Sequence, residues 1–290
     1  MEVNPGIQGG AEYSRHEPRV SRLSLTFAPD PQGRTFLARQ FASYPFHVCK
    51  VLYDDVDRQG MGTIYTQSSA GGLFEHDRHL IEIVAGEGAE AHVTTQASTI
   101  VHSMKGGVAR QTTTINAGAA SFLEVLPDPQ ILFPKSSYEG ISRIRMAEGA
   151  TCIVSDSFLT HDPMASGGVP QYYRNEIIVE NGDGRAIAID RLHIDEQTFH
   201  NSAPGVAGRF KACGTMLVLF PRRACSLDFS TIADVTPDGT LIGTSVLPSN
   251  AGHLFRILAV DGVQLKRSMF ACWSVVRTTM TGRAPIKRRK

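Results

Sequence analysis

Five consecutive side chains with donor, acceptor or metal-binding atoms follow a pair of glycines early in the chain. The glycines are Gly71 and Gly72, and the side chains are Glu75, His76, Asp77, Arg78 and His79. Glycine reaches backbone conformations closed to other residues, so a sharp turn can present these side chains at the entrance of the strand-like run 80–84. No Lys-Ser or Lys-Thr follows the glycines, so this is not a phosphate-binding loop. The simplest interpretation of the loop alone is a solvated polar turn.

Two classes of hydrolase lack their motifs here. The segment Gln67-Ser-Ser-Ala-Gly71 does not have the Gly-x-Ser-x-Gly pattern of a serine nucleophile, and no helical pattern follows it. The pair His76 and His79 lies on a predicted loop and does not form a His-Glu-x-x-His zinc motif. The sequence therefore shows no assembled catalytic set. A metal-dependent hydrolase built on Asp77, His76 and His79 stays open as an alternative.

Four carboxylates lie within predicted strands and among apolar neighbours: Glu124, Asp156, Glu176 and Asp190. If both faces of such a strand are covered, the carboxylate must be paired, hydrated or bound to a cation. The alternative is the outward face of an alternating strand, or an ion pair such as Asp190 with a nearby arginine. Taken together with Asp77, these residues are also compatible with a hydrated acidic passage.

Composition excludes several classes of partner. A net charge of +1 over 290 residues gives no overall field for nucleic acid or for an anionic membrane. The chain begins without a signal-peptide pattern, and no run of about 18 apolar residues occurs, so we expect a cytoplasmic protein. The five cysteines are odd in number and contain no Cys-x-x-Cys, which argues against a disulfide framework or structural zinc.

A strand–turn–strand unit recurs between residues 80 and 158. Its Gly-Ala turns begin at Gly88, Gly118 and Gly149, so they recur about every 30 residues. Pairs of strands at a fixed period indicate stacked β layers. The sequence therefore predicts a mainly β protein with a helical-type, solenoid-like β body over residues 21–210, preceded by a flexible arm over residues 1–20.

The pattern changes after residue 210. Residues 211–290 predict a small β-α-β-β-α part packed on the body and ending in a basic tail. Its helices are expected over 224–233 and 263–281, and the second has Met269, Trp273 and Val276 at helical spacing. We interpret that stripe as core packing. Gly282 supplies a stop for the second helix.

Several segments resemble the UreD family of urease accessory proteins, also called UreH. One marker is Ser69-Ala-Gly-Gly-Leu-Phe-Glu-His-Asp77. The other markers lie at 94–102, 126–134, 190–194, 214–217 and 280–285. No single marker decides the matter, but their order and spacing extend the resemblance from about residue 44 to residue 285.

The resemblance implies a helical-type β fold with two α-helices and no catalysis. It implies a scaffold needed for urease maturation, which bridges apo-urease to a UreF-type accessory protein and, through it, to a UreG-type GTPase. Nickel would pass to urease through an acidic, water-filled tunnel, with no tightly bound cofactor. Asp77, Asp156 and Asp190 resemble the family's acidic tunnel residues. The competing interpretation is a pure docking scaffold in which nickel travels elsewhere.

This chain departs from the family near the loop. Glu75 and His76 replace glycines common before the family's aspartate, and Ile100 and His102 stand where Lys and Tyr are often found. These changes add potential ligands. The predicted transient path for Ni²⁺ comprises Asp77, Asp156, Asp190, Glu176, Glu124 and His76. Carboxylate and water ligands exchange readily, so such a path should bind Ni²⁺ weakly and repeatedly.

Overall fold

The computed structural model describes residues 19–55, 57–200, 208–220, 232 and 236–286. The described chain is mainly β, with two α-helices. The strands are β1 (Val20–Pro29), β2 (Thr35–Ala42), β3 (Phe46–Val48), β4 (Gly62–Ser68), β5 (Arg78–Ala85), β6 (Glu90–Thr95), β7 (Thr99–Val101), β8 (Ala109–Ala117), β9 (Phe122–Val125), β10 (Gln130–Leu132), β11 (Ser137–Met146), β12 (Thr151–Thr160), β13 (Tyr172–Glu180), β14 (Ala186–Asp195), β15 (Ala212–Leu219), β16 (Thr240–Val246) and β17 (Gly252–Ala259). The helices are α1 (Glu196–His200) and α2 (Gly262–Thr281).

The repeated units stack as coils of a β-solenoid, as the spacing of the Gly-Ala turns predicts. Strands β5, β8 and β11 pair in parallel in one sheet, and β6, β9 and β12 pair in parallel in the other. Each coil therefore contributes one strand to each sheet. Gly88 and Gly149 turn the chain with φ of +66° and +70°, which glycine reaches without strain. The amide of Gly88 donates to the carbonyl of Ala119 (2.9 Å), joining successive turns.

The two sheets face each other across an apolar core. The seven-stranded sheet has the order β14-β13-β11-β8-β5-β1-β2. The ten-stranded sheet has the order β16-β17-β15-β12-β9-β6-β4-β3, with β10 and β7 attached beside β12. Alternate side chains enter the core, as Leu23, Leu25 and Phe27 of β1 show. Among the residues that the structure describes, no helix is long and apolar enough to cross a membrane.

The C-terminal strands continue the ten-stranded sheet, because β15 pairs antiparallel with β12 and β17 pairs with β15. Helix α2 packs on the outer face of that sheet. The Asp261 side chain accepts the Gln264 amide (2.8 Å) at its start, and Gly282 ends it with φ of +82°. The helix predicted over 224–233 lies outside the described residues, apart from Ile232. The division into a body and a C-terminal part stays a prediction, as does the arm over residues 1–20, most of which lies outside the described chain.

Two elements carry no clear pattern in the sequence. One is β2, which forms as an edge strand. Its residues beyond Leu37 are all exposed, so no alternation marks it. The other is α1, which forms over Glu196–His200 in a polar stretch. The Asp195 side chain accepts the amide of Thr198 (2.8 Å), which stabilises the first turn of a helix too short to show periodicity.

A buried polar network attaches α2 to the solenoid. The Glu124 carboxylate of β9 is fully buried and accepts hydrogen bonds from His92 Nδ1 (2.8 Å), Trp273 Nε1 (2.8 Å) and Arg277 Nη1 (2.9 Å). The other Arg277 amino group pairs with Asp55 (2.5 Å). Burial alone would raise the pKa of Glu124, but the hydrogen bond from His92 and the charge of Arg277 outweigh it and lower the pKa to about 2.

We expect Glu124→Leu to lower the free energy of unfolding by about 3–5 kcal/mol, because it leaves three buried donors without their acceptor. Urea unfolding followed by circular dichroism at pH 7 measures this. In the wild type the Glu124 contribution should be complete above the ordinary pKa of 4.5 and be lost as the pH falls toward about 2.

The matched control for this prediction is Arg283→Ala. Arg283 pairs with Asp57 on the surface, where its side chain is 71% exposed, so the midpoint of unfolding should not move. A Glu124→Leu protein as stable as the wild type would show that the network does not hold α2.

Candidate functional site

A cavity of about 860 Å³ lies between the two sheets. Its lining includes the inward side chains of several solenoid strands and the loops near residues 67–72 and 95–100. Asp156 of β12 is partly accessible, although its neighbours Ser155 and Ser157 are both buried. Asp156 shares its face of the strand with the cavity-lining Val154. Its accessibility therefore comes from the cavity.

Asp156 stands in an environment that opposes its ionisation. The Tyr173 hydroxyl donates to Asp156 Oδ2 (2.6 Å). Burial raises the pKa of Asp156 to about 6, and the nearby charge of Asp190 acts in the same direction. The Tyr173 hydrogen bond and the Arg256 charge lower it and offset only part of the shift.

Asp190 of β14 is joined to the opposite sheet by Arg256 of β17. Arg256 Nη2 donates to Asp190 Oδ1 (2.7 Å), and Nη1 donates to Thr215 Oγ1 (2.5 Å). Thr215 of β15 pairs with Asp156 of β12 on one side and with Arg256 of β17 on the other. The ladder thus places the guanidinium beside both carboxylates.

Three aromatic rings pack together next to Asp156. The Tyr173 ring lies 5.3 Å from that of Tyr138 and 4.4 Å from that of Phe158, between centroids. We call these three residues the aromatic partition. Asp156 and Ser157 line the first cavity, whereas Phe158 lines a second cavity of about 770 Å³. Tyr138 and Tyr173 line neither cavity.

Asp77 lies buried just before β5. Its Oδ2 accepts the Phe74 amide (2.9 Å), and Arg19 approaches its Oδ1 (3.5 Å). Two residues on, His79 is buried and lines the first cavity. Burial lowers the pKa of His79 to about 4, so its imidazole is neutral at pH 7.

Glu75 and His76, which depart from the family pattern, pack against a neighbouring loop. His76 is exposed and has a left-handed φ of 69°. The Glu75 carboxylate accepts the amides of Gly107 and Lys105. The Gly107 amide is the main cause that lowers the pKa of Glu75. A Cβ at position 107 would lie 2.4 Å from the His76 ring, so a larger residue there would require the His76 or Glu75 side chain to move.

The two predicted glutamates do not line either cavity. Glu124 belongs to the network beneath α2. Glu176 pairs with Arg191 (3.1 Å) across the β13–β14 ladder. It faces away from the first cavity, because its neighbour Ile177 lines that cavity. Of the six predicted residues, the structure brings Asp156 and Asp190 together. Within the described ranges, no group of three or more His, Cys, Asp or Glu residues could hold a metal ion.

Sequence reasoning missed three residues of this site: Tyr173, Arg256 and Asp128. Asp128 lines the first cavity and pairs with Lys266 of α2 (3.6 Å). Arg256 had a recognisable signal, because it lies between Leu254 and Leu258 at alternate spacing. A charge on such an apolar strand face requires a buried partner.

We expect the contribution of Asp156 to stability to decrease as the pH rises from about 4 to about 6. The lowered pKa of His79 acts in the opposite direction in this window, but it is common to the wild type and to Asp156 variants. The folded pKa of Asp156 lies above its ordinary value of 3.8, so the native state holds the proton more tightly than the unfolded chain in this window. Asp156→Asn keeps an acceptor for Tyr173 without the charge. It should be more stable than the wild type at pH 7, by up to about 3 kcal/mol for a two-unit shift.

Urea unfolding at pH 4 and pH 7 measures the difference. Glu176→Gln is the matched control, because the same chemical change on the outer face should leave the pH profile as in the wild type. Identical pH profiles for wild type and Asp156→Asn would contradict a raised pKa at Asp156.

Comparison with known proteins places this chain in a family. The profile of the UreD urease accessory protein family matches residues 19–290. A protein named urease accessory protein UreD 1 from Methylorubrum extorquens is 38% identical over 277 residues, covering 94% of this chain and 92% of the relative. Another of that name from Pseudomonas syringae pv. syringae is 34% identical over 268 residues, covering 92% and 94%. The chain belongs to the UreD family of urease accessory proteins.

Proposed function

We propose that this protein is a non-catalytic scaffold for urease maturation that also passes Ni²⁺ through its interior. It binds apo-urease and a UreF-type accessory protein, and it reaches a UreG-type GTPase through the latter. The family and the names of its relatives support the maturation role. The metal path is supported by the cavity between the sheets.

The observation that carries the metal path is the accessibility of Asp156 inside the molecule. A carboxylate in a cavity of about 860 Å³ can keep water ligands and accept a cation from them. With a pKa of about 6, Asp156 is mostly ionised at pH 7. Oxygen ligands hold Ni²⁺ less tightly than thiolate or multiple imidazoles would, which suits an ion that must leave again.

On this proposal, the ion moves from the first cavity past Asp156 and Asp190 toward the second cavity. The proposal places the aromatic partition on that route, so passage would require Phe158 and Tyr173 to change position. Asp77 lies two residues before the cavity-lining His79 but does not itself line the first cavity. His76 lies on the exposed loop outside it. Asp190 lines neither cavity but lies close to Asp156, so it stays in the path. We leave Glu124 and Glu176 out, because they line neither cavity and are paired elsewhere.

One alternative has specific support. In a pure docking scaffold the carboxylates are structural, and the ion pairs of Glu124, Glu176 and Asp190 agree with that role. A metal-dependent hydrolase built on Asp77, His76 and His79 has less support. His76 is exposed whereas His79 is buried, and the described residues contain no three-ligand group.

Nickel loading of urease separates the conduit from the docking scaffold. Cells that carry the urease genes but lack this chain would be complemented with the wild type or with the double variant Asp156→Asn/Asp190→Asn. We expect the double variant to copurify with its partners and yet to reduce urease nickel content and activity severalfold, because no carboxylate remains beside the partition.

Glu176→Gln is the matched control and should restore both readouts fully. Full nickel content with the double variant would instead support the docking scaffold. Normal urease in cells without this chain would contradict the maturation role itself.

A further inference from the structure

We propose that Arg256 is a built-in competitor for the cation, which keeps the Asp156–Asp190 site weak enough to release Ni²⁺. The inference rests on the proposed function, since it assigns a regulator to the same path. Arg256 is then a positioning residue of the path. It does not coordinate the metal. Its guanidinium pairs with the Asp190 carboxylate, which the metal would otherwise bind.

The contacts of Arg256 support this role. Its side chain is 28% exposed and that of Asp190 is 16% exposed, so the 2.7 Å pair is only partly withdrawn from water. An ion pair with this much access to water can open without stranding a deeply buried charge. The Thr215 hydroxyl accepts the other amino group and can hold the side chain when Asp190 is taken by a metal.

The charges around the site make the competition direct. Asp156 and Asp190 carry two negative charges when ionised, and Arg256 neutralises one of them. The Tyr173 hydroxyl that faces Asp156 is neutral at pH 7, because burial holds its pKa well above the ordinary value. A divalent cation must therefore either displace the Arg256 guanidinium from Asp190 or bind with that positive charge still close to it. Either event lowers the affinity of the site for the cation.

A second observation points to a ligand at this place. Gln130 lines the same cavity and lies opposite Phe158 of the partition in the β10–β12 ladder. Gln130 is 8% exposed, and its Oε1 has no hydrogen-bond donor among the described residues. A buried amide oxygen without a donor is costly in a folded protein. A hydrated cation beside Asp156 would supply the missing donor through a water ligand.

Three variants test the competition. Arg256→Gln removes the charge but keeps a polar side chain. Arg256→Lys keeps the charge. Arg191→Gln is the matched control, because it removes an arginine paired with Glu176 on the outer face. Circular dichroism and pull-down of the partners verify that each variant folds and assembles.

The first readout is titration of the full-length chain with nickel chloride by calorimetry, with and without magnesium chloride. We expect Arg256→Gln to bind Ni²⁺ about tenfold more tightly or better. That is the effect of one positive charge about 5 Å from a divalent ion at the dielectric constant of water. Arg256→Lys and Arg191→Gln should stay close to the wild type. Unchanged or weaker binding by Arg256→Gln would overturn the proposal.

The second readout is the nickel content of urease in the complemented cells. Arg256→Gln should lower it in spite of tighter binding, because the ion is released more slowly. A merely structural arginine would lower nickel content and affinity together, which contradicts our proposal.

The two proposals fail differently. If Asp156→Asn/Asp190→Asn lowers nickel content but Arg256→Gln changes neither readout, the path stands and the role of Arg256 is wrong. If the double variant delivers nickel normally while Arg256→Gln binds it more tightly, Arg256 does compete with a cation, but the cation is not in transit to urease.

Discussion

The coverage of the ten-stranded sheet on both faces is the constraint on which the rest of this structure depends. The seven-stranded sheet covers one face, and α2 covers part of the other. Successive residues of a central strand therefore enter two different environments. In β9, Phe122 and Glu124 face the helix, whereas Leu123 faces the core between the sheets. Side chains alternate between the two faces of the sheet, so a carboxylate points either toward α2 or toward the cavity. Its face therefore decides whether it joins the network beneath α2 or lines the cavity.

The same physics gives two interior carboxylates opposite properties. For both Glu124 and Asp156, burial by itself acts to raise the pKa. Glu124 receives three hydrogen bonds, one of them from a guanidinium, and its pKa falls to about 2. Asp156 receives its close hydrogen bond from the neutral Tyr173 hydroxyl, while Arg256 pairs with Asp190. The permanently charged, fully bonded group is suited to structure. The group near its titration point keeps the capacity to exchange a proton or an ion.

Much of the fold could be predicted from the sequence. The turns near Gly88, Gly118 and Gly149 recur at a period because stacked coils need a tight corner each time. The match is approximate, since the left-handed residue of the second turn is Ala120 and not Gly118. Helix α2 is long enough to show its apolar stripe and its stop at Gly282. Short or exposed elements such as α1 and β2 could not be predicted, since five residues hold too few turns for a pattern and an edge strand need not alternate.

The candidate site was harder to predict for two physical reasons. A cavity is a deficit of side-chain volume among residues distant in sequence, and no local pattern records it. Partners are equally remote, since Arg256 follows Asp190 by 66 residues. The sequence could identify carboxylates that needed a partner, but it could not show that Glu176 turns outward or that Glu124 meets Arg277. The face of each strand became clear only from the pairing of its neighbours.

The proposed path also has to avoid ligands that would retain nickel. Cys213 lies close to Asp156 and Arg256, and a thiolate there would be a soft, tight ligand. Burial raises the pKa of Cys213 to about 11, although the Arg256 charge acts against that shift, so the side chain is a neutral thiol at pH 7. The apolar surroundings thus keep the Cys213 sulfur protonated. Among the described side chains that interact with Asp156, the remaining candidate ligands are exchangeable oxygens, and a conduit requires this property whereas a storage site does not.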